Sequence, residues 1–337
     1  MKPLKRILIT RTDRIGDVVL TLPLAGIIRK HYPDAEVFFM LRSYTEPLTY
    51  GNKEIAGVLN YDNYTEKTLS EKIKFLRSFR FDAVFVISPS LTLAAEMFLA
   101  GIRTRVGTGY RWYSFFFSRR VYEHRKDARF HEFEYNCRML REAGIDHKYS
   151  PDDFNGLISV KPNSENIITQ KLKEKGIKPD EKFVIIHPGS GGSSVDLPVE
   201  SFIKLSGLLS VNFKVVITGS PSEYDLCQKL IVNQNVINCA GELDLPELIA
   251  LISHAYAFIS NSTGPIHIAA ASGIRVAGFY PKIKDCSAER WGPYSSKSRV
   301  FRPEINCSGC DRKQCEALNC MSSIDMQKVS GYIENNA

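Results

Sequence analysis

A chain of 337 residues, 44% hydrophobic and 24% charged, has the make-up of a globular protein that is long for one core and comfortable for two. The stretch Met1-Lys-Pro-Leu-Lys-Arg leads into only Ile7-Leu-Ile9, too short for a signal peptide, and the best apolar run, residues 81–102, is interrupted by Asp82, Pro89 and Glu96. The expectation is a cytoplasmic protein whose net charge of +7 is modest but unevenly spread.

In chain order, residues 6–10 read as a buried strand and 11–17 as a loop. Residues 18–31 carry Val19, Leu22, Ile27 and Ile28 at helical spacing, with Asp17 where the helix begins. A strand over 37–41, a helix over 70–80, a strand over 81–87, a helix over 91–99 and a short strand over 105–107 follow. Residues 131–144 are helical and end on a glycine stop. A linker and a polar helix occupy 161–180, and a second alternation then begins. It runs through strand 182–186, helix 198–209, strand 214–218, helix 222–231, strand 236–238, helix 245–253, strand 257–260, helix 265–272 and strand 275–279. A last helix covers 324–333.

Strands alternating with helices predict parallel sheets covered on both faces, hence an α/β protein with two Rossmann-like domains. Ligands of such sheets bind outside the carboxyl ends of the strands, and two halves facing one another make a cleft. Neither half carries Gly-x-Gly-x-x-Gly: in His187-Pro-Gly-Ser-Gly-Gly-Ser-Ser194 a serine replaces the third glycine. Gly-Lys-Ser/Thr is absent as well, which argues against a dehydrogenase and a P-loop enzyme.

The segment most suited to chemistry is Ser260-Asn-Ser-Thr-Gly-Pro-Ile-His267. It puts Ser262, Thr263 and Gly264 between a strand end and a helix that starts on a proline. Such a turn offers unpaired amides, hydroxyls and the positive end of a helix dipole, with no side chain at Gly264 to hold a ligand away: a phosphate seat. His267, one turn on, reaches the same anion or packs against the turn. The plain alternative is an ordinary strand–turn–helix junction with a Ser/Thr cap.

Residues 101–141 hold ten Arg and Lys against four Asp and Glu, with Tyr110, Trp112, Tyr113, Phe115, Phe116 and Phe117 interleaved. Such a patch suits nucleic acid, an anionic membrane surface or an anionic glycolipid, or else is a solvated surface beside a core-facing aromatic run. Four of the eight cysteines fall at 307, 310, 315 and 320. They are enough ligands for structural zinc, but at a spacing unlike a zinc finger, and reversible disulfides or plain buried thiols compete with that reading.

Three stretches in order, Gly16-Asp-Val-Val-Leu-Thr-Leu-Pro23, His187-Pro-Gly-Ser-Gly-Gly192 and Ser260 to His267, resemble the bacterial heptosyltransferases of glycosyltransferase family 9 over nearly the full length. The resemblance implies a GT-B fold, with an acceptor domain over 1–160, a nucleotide-sugar domain over 161–320, and 321–337 as a helix packing back on the first domain. It implies inverting, metal-free and cofactor-free transfer of heptose or a related sugar, from ADP-heptose or another nucleotide sugar, to a lipopolysaccharide core precursor. The enzyme would then be cytoplasmic, peripheral to the inner membrane, and without a nucleic-acid partner. By the same resemblance Asp17 is the catalytic base, with Asp13 as its rival. Ser262, Thr263, Gly264 and His267 hold the diphosphate or sugar, Gly189 and Ser190 form the opposite wall, and Glu223 and Leu243 lie near the base and ribose. Arg111, Arg119 and Arg120 would draw the anionic acceptor.

One departure is marked: Val195 and Leu197 stand where the family usually has Lys and Trp, which leaves Lys282 or Lys284 as substitute cations. The rival readings are a sugar-nucleotide epimerase or hydrolase of the same fold, and a degenerate nucleotide-sugar binder.

Overall fold

The computed structural model describes residues 4–307 and 309–335. Contacts divide the chain into two compact units, one of Met1–Arg125 with Phe130–Ser159 and one of Lys126–Arg129 with Val160–Ala337.

The first unit contains β1 (Arg6–Thr10), α1 (Ile15–Val19), α2 (Pro23–His31), β2 (Glu36–Leu41), β3 (Gly57–Asn60), α3 (Tyr61–Thr65) and α4 (Leu69–Phe79). It continues with β4 (Ala83–Val86), α5 (Leu91–Leu99), β5 (Thr104–Thr108), β6 (Arg119–Val121) and α6 (Glu132–Leu140). Its six strands are all parallel, in the order β3-β2-β1-β4-β5-β6. Ile7, Leu8 and Ile9 of the central β1 are fully buried, as a strand covered on both faces requires.

The second unit contains α7 (Pro162–Glu174), β7 (Phe183–His187), α8 (Val199–Leu209), β8 (Lys214–Ile217), α9 (Tyr224–Gln228), β9 (Val236–Asn238) and α10 (Leu245–His254). Then come β10 (Ala257–Asn261), α11 (Gly264–Ala271), β11 (Arg275–Phe279), α12 (Ala288–Trp291), β12 (Ser298–Phe301), α13 (Arg312–Ala317) and α14 (Met326–Glu334). Its sheet order, β12-β11-β10-β7-β8-β9, is the first sheet's order read from the other edge. Both sheets therefore reverse strand order beside their first strand, β1 or β7, and that is where doubly wound sheets bind ligands.

Two expectations change. The helix expected over 18–31 is two helices, because Pro23 cannot donate an amide and instead starts α2. The carboxy-terminal helix, expected on the first domain, belongs to the second unit. Met326, Val329 and Ile333 of α14 are buried in one core with Phe202, Phe279 and Phe301. Arg275 of β11 donates to the carbonyl of Tyr332 at 2.7 Å, satisfying one of the acceptors that a helix end leaves open. Ile333→Ala should thus destabilise the second unit by roughly 2–5 kcal/mol in urea titration, the range for emptying a sealed apolar site.

Candidate active site

In the first unit the switch point lies between β1 and β4, where the loop leaving β1 carries Arg11 and Asp13 and the first turn of α1 carries Asp17. The Arg11 side chain, 4% exposed, pairs with Asp17, with Asp13 at 3.2 Å and with Glu132 of α6 at 3.5 Å. One cation thus serves three carboxylates, although Glu132 also pairs with Arg125. The scaffold around them is polar and tight. Thr21 donates to the carbonyl of Asp17 at 2.7 Å, and buried Asn136 donates to the carbonyl of Leu20 and to the Thr21 hydroxyl. Arg125 in turn donates to Asn136 at 2.9 Å, so the turn between α1 and α2 is tied to α6.

Burial works against the charge on Arg11, but the three carboxylates more than offset it and hold its pKa above the ordinary value. Burial pushes the Asp17 carboxyl above the usual carboxylate range; Arg11 pulls the other way, and Asp13 and Glu132 add to the rise. Asp17 remains 17% exposed while Glu132 is sealed at 2%. Of the two, Asp17 is the carboxylate that a substrate can reach. Asp13, 29% exposed, shares the same guanidinium.

In the second unit the switch point lies between β7 and β10, where Ser260 registers with His187. Buried Asn261, at the end of β10, accepts from the Leu197 amide at 2.9 Å and donates to the Pro188 carbonyl at 2.6 Å. Ser193 Oγ lies 2.7 Å from the Ser190 carbonyl and 2.9 Å from that of Ser262. The glycine loop and the Ser262 turn are thereby joined. Thr263 is the N-cap of α11 in extended conformation, and its side chain makes no capping bond. Thr263 and Gly264 are half-exposed, whereas His267 is buried at 4% exposure.

Glu223 accepts from the Ser220 amide and hydroxyl, both at 2.8 Å, and its other oxygen presses on Gly189. A Cβ at Gly189 would come within 1.7 Å of that oxygen, so a larger residue there would displace the Glu223 carboxylate. Gly189, Ser190, Glu223 and Ser262 are therefore brought together, while Leu243 is half-buried just ahead of α10. His187 is buried, faces the Thr218 hydroxyl at 2.9 Å, and is held neutral by burial, its pKa lowered to about 4.

Val195 and Leu197 are buried in the core at 4% and 3% exposure, so their loop is fastened by apolar packing. Lys282 donates to the Ile305 carbonyl at 2.7 Å. The cation that touches the loop is one that sequence reasoning missed. Arg312 of α13 donates to the carbonyls of Gly192 at 3.0 Å and Ser194 at 2.7 Å, beside a pocket of about 300 Å³ that Asp196 and Glu316 also line. Nothing in its sequence position, 120 residues after Gly192, could have signalled this. Arg11, Glu132 and Asn261 were also missed, although Asn261 lies inside the Ser260 to His267 stretch.

In the basic segment, Arg125, Arg129, Arg138 and Arg141 pair with carboxylates. Arg111 and Arg119 are exposed, and Arg120 donates to the Ser114 carbonyl at 3.0 Å. The eight cysteines are free thiols, and among the described residues no group of three or more His, Cys, Asp or Glu side chains is arranged to hold a metal ion. The ligand set at Cys307, Cys310, Cys315 and Cys320 is thus not assembled in this structure.

Comparison with known proteins agrees with this plan. Residues 71–321 match glycosyltransferase family 9 (heptosyltransferase). Lipopolysaccharide heptosyltransferase 3 of Escherichia coli is 28% identical over 303 residues, 85% of each chain. The crystal structure of a family 9 glycosyl transferase from Veillonella parvula superposes with a TM-score of 0.82 at 17% identity, covering 99% of this chain and 98% of that one. The E. coli ADP-heptose lipopolysaccharide heptosyltransferase II does so with a TM-score of 0.73 at 19% identity, covering 99% of both. The fold is an α/β one of the GT-B kind. Within that fold class, the chain belongs to glycosyltransferase family 9, the heptosyltransferase family.

Removing Arg11 leaves three carboxylates around a vacated cation position. Arg11→Gln should cost about 3–5 kcal/mol at neutral pH. The Asp17 carboxyl, already raised by burial, then loses the cation that pulls it down, so its folded-state pKa lies further above the unfolded one and stability is lost as pH rises through it. Denaturant titrations should accordingly show the deficit shrinking from pH 8 to pH 5.

Proposed function

We propose that this glycosyltransferase moves heptose, or a closely related sugar, from a nucleotide-sugar donor, ADP-heptose foremost, to an anionic lipopolysaccharide core precursor at a membrane surface, with inversion at the sugar. The observation that carries this reading is Asp17: a reachable carboxylate, held by Arg11 at the switch point of its sheet and pushed toward higher pKa. A general base works best when its pKa approaches the operating pH. Asp17 takes the proton of the acceptor hydroxyl as that oxygen bonds to the anomeric carbon, and the bond from that carbon to the nucleoside diphosphate breaks. Asp13, on the same guanidinium and more exposed, is the rival candidate.

The departing diphosphate is received at the second unit's switch point by the start of α11, where the Thr263 and Gly264 amides and the helix dipole offer positive charge. Metal-independent departure follows from that arrangement as part of the proposal. Ser262 and His267 shape the seat, Gly189 and Ser190 form its facing wall, and Glu223 and Leu243 lie toward the nucleoside. Arg312 positions the wall by holding the carbonyls of Gly192 and Ser194. Arg111, Arg119 and Arg120 attract the acceptor's phosphates and carboxylates.

The test is a matrix of ADP-heptose, UDP-sugars and GDP-sugars with and without a core acceptor. Transfer only with ADP-heptose and acceptor is expected; turnover without acceptor, or binding alone, would overturn the reading. Asp17→Asn should lower kcat by roughly 10²–10⁴ with little change in donor affinity.

The pH profile is a second check. The acid limb of kcat/KM should lie above the range of an ordinary carboxylate, because the base is active only when ionised. Glu132→Gln removes a neighbouring negative charge and should shift that limb to lower pH.

A further inference from the structure

The first unit carries an exposed apolar ridge that the proposed chemistry does not use. Trp112 is 76% exposed, Phe115 57%, Phe98 47% and Leu99 45%. Ring contacts join them: Phe98 to Phe116 at 5.5 Å, Phe116 to Phe115 at 4.3 Å, and Phe115 to Trp112 at 6.5 Å. Tyr113 and Phe117, from the same run, are buried in the core and root the ridge. Aromatic side chains gathered this way on a surface mark an interaction site rather than scattered exposure.

What surrounds the ridge identifies its partner. Residues 91–122 contain five arginines and a single carboxylate, Glu96, which is buried against Tyr64 at 2.9 Å and Lys72 at 3.3 Å. Among the described residues none of Arg103, Arg105, Arg111, Arg119 and Arg120 carries an ion pair. Arg105 and Arg120 brace the turn that lifts Phe115, through the carbonyls of Phe116 at 2.7 Å and Ser114 at 3.0 Å. Arg103, Arg111 and Arg119 are left exposed around it. A protein partner of ordinary composition would bring both signs of charge. An anionic bilayer offers uniform negative charge over an apolar interior, with an interfacial layer that favours Trp.

We propose that Trp112, Phe115, Phe98 and Leu99 insert into the interface of an anionic phospholipid membrane, with Arg103, Arg111 and Arg119 on the headgroup phosphates. Among the described residues no helix is long and apolar enough to cross a membrane, so the contact is one of surface insertion. This inference rests on the membrane-surface part of the proposed function and adds the face that makes the contact.

The experiment uses the full chain with phosphatidylcholine vesicles, with or without about one third phosphatidylglycerol. Cosedimentation is expected only with phosphatidylglycerol present and should weaken as salt is raised. The chain has two tryptophans, so a Trp291→Phe background isolates Trp112, whose emission should shift to the blue on binding. The double variant W112S/F115S should bind at least about tenfold more weakly, and Arg103→Gln about fivefold more weakly.

Both variants should keep wild-type turnover on an acceptor stripped of its acyl chains, which separates loss of docking from loss of folding or chemistry. Equal binding to both vesicle types, no binding to either, or concentration-dependent self-association abolished by W112S/F115S would overturn the proposal. Docking to anionic vesicles by a protein that transfers no sugar would uphold this inference while defeating the proposed reaction.

Discussion

A single buried guanidinium organises the amino-terminal half of this protein. Arg11 leaves the central strand at the point where strand order reverses and is met there by Asp13, Asp17 and Glu132. A charge so far removed from water is tolerable only when it is matched and hydrogen-bonded. Here the match is exceeded, and the surplus of negative charge distinguishes this cluster from a structural ion pair. It leaves a carboxylate that is ordered by its cation yet pushed toward a higher pKa, a combination that neither full exposure nor a simple one-to-one pair would produce.

The two sheets share one strand order but carry different chemistry at the equivalent place. In the first, the loop after the central strand is acidic and salt-bridged, and it leads into a five-residue helix that ends before Pro23. In the second, the corresponding loop is made of glycine and serine, and the neighbouring strand ends in Asn261, which stitches it to the turn ahead of α11. A common backbone plan thus places a salt-bridged carboxylate cluster at the switch point of one unit and a glycine- and serine-lined turn at that of the other, the places where the proposed reaction puts its proton acceptor and its anion seat. The division follows from what each loop places at the strand ends.

Much of this was legible in the sequence. The long apolar strands and amphipathic helices announce themselves by periodicity, because burial on both faces of a parallel strand leaves little choice of residue. The strands that escaped notice, β3, β6 and β12, are three of the four sheet edges; the fourth, β9, was read at 236–238. Edge strands need no continuous apolar run, so periodicity is weak there. The split at Pro23 was readable in principle from proline's missing amide. The docking of α14 was not, since an amphipathic helix reveals which face it buries but not which core receives it. Likewise Asp17 and the Ser262 turn stood out as local motifs, whereas Arg11, Glu132 and Arg312 matter through contacts made far along the chain or through charges that a motif does not record.

The loop around Val195 and Leu197 illustrates what apolar residues do to a loop at a strand end. Where a lysine would hold its position only through long-range attraction, two buried aliphatic side chains, Asn261 and Arg312 fix this segment from within the fold. Its configurational freedom is surrendered once, when the chain folds, and not again at each encounter with a ligand. On the proposed reading, the wall of the seat is rigid scaffold whose shape is set before any ligand arrives.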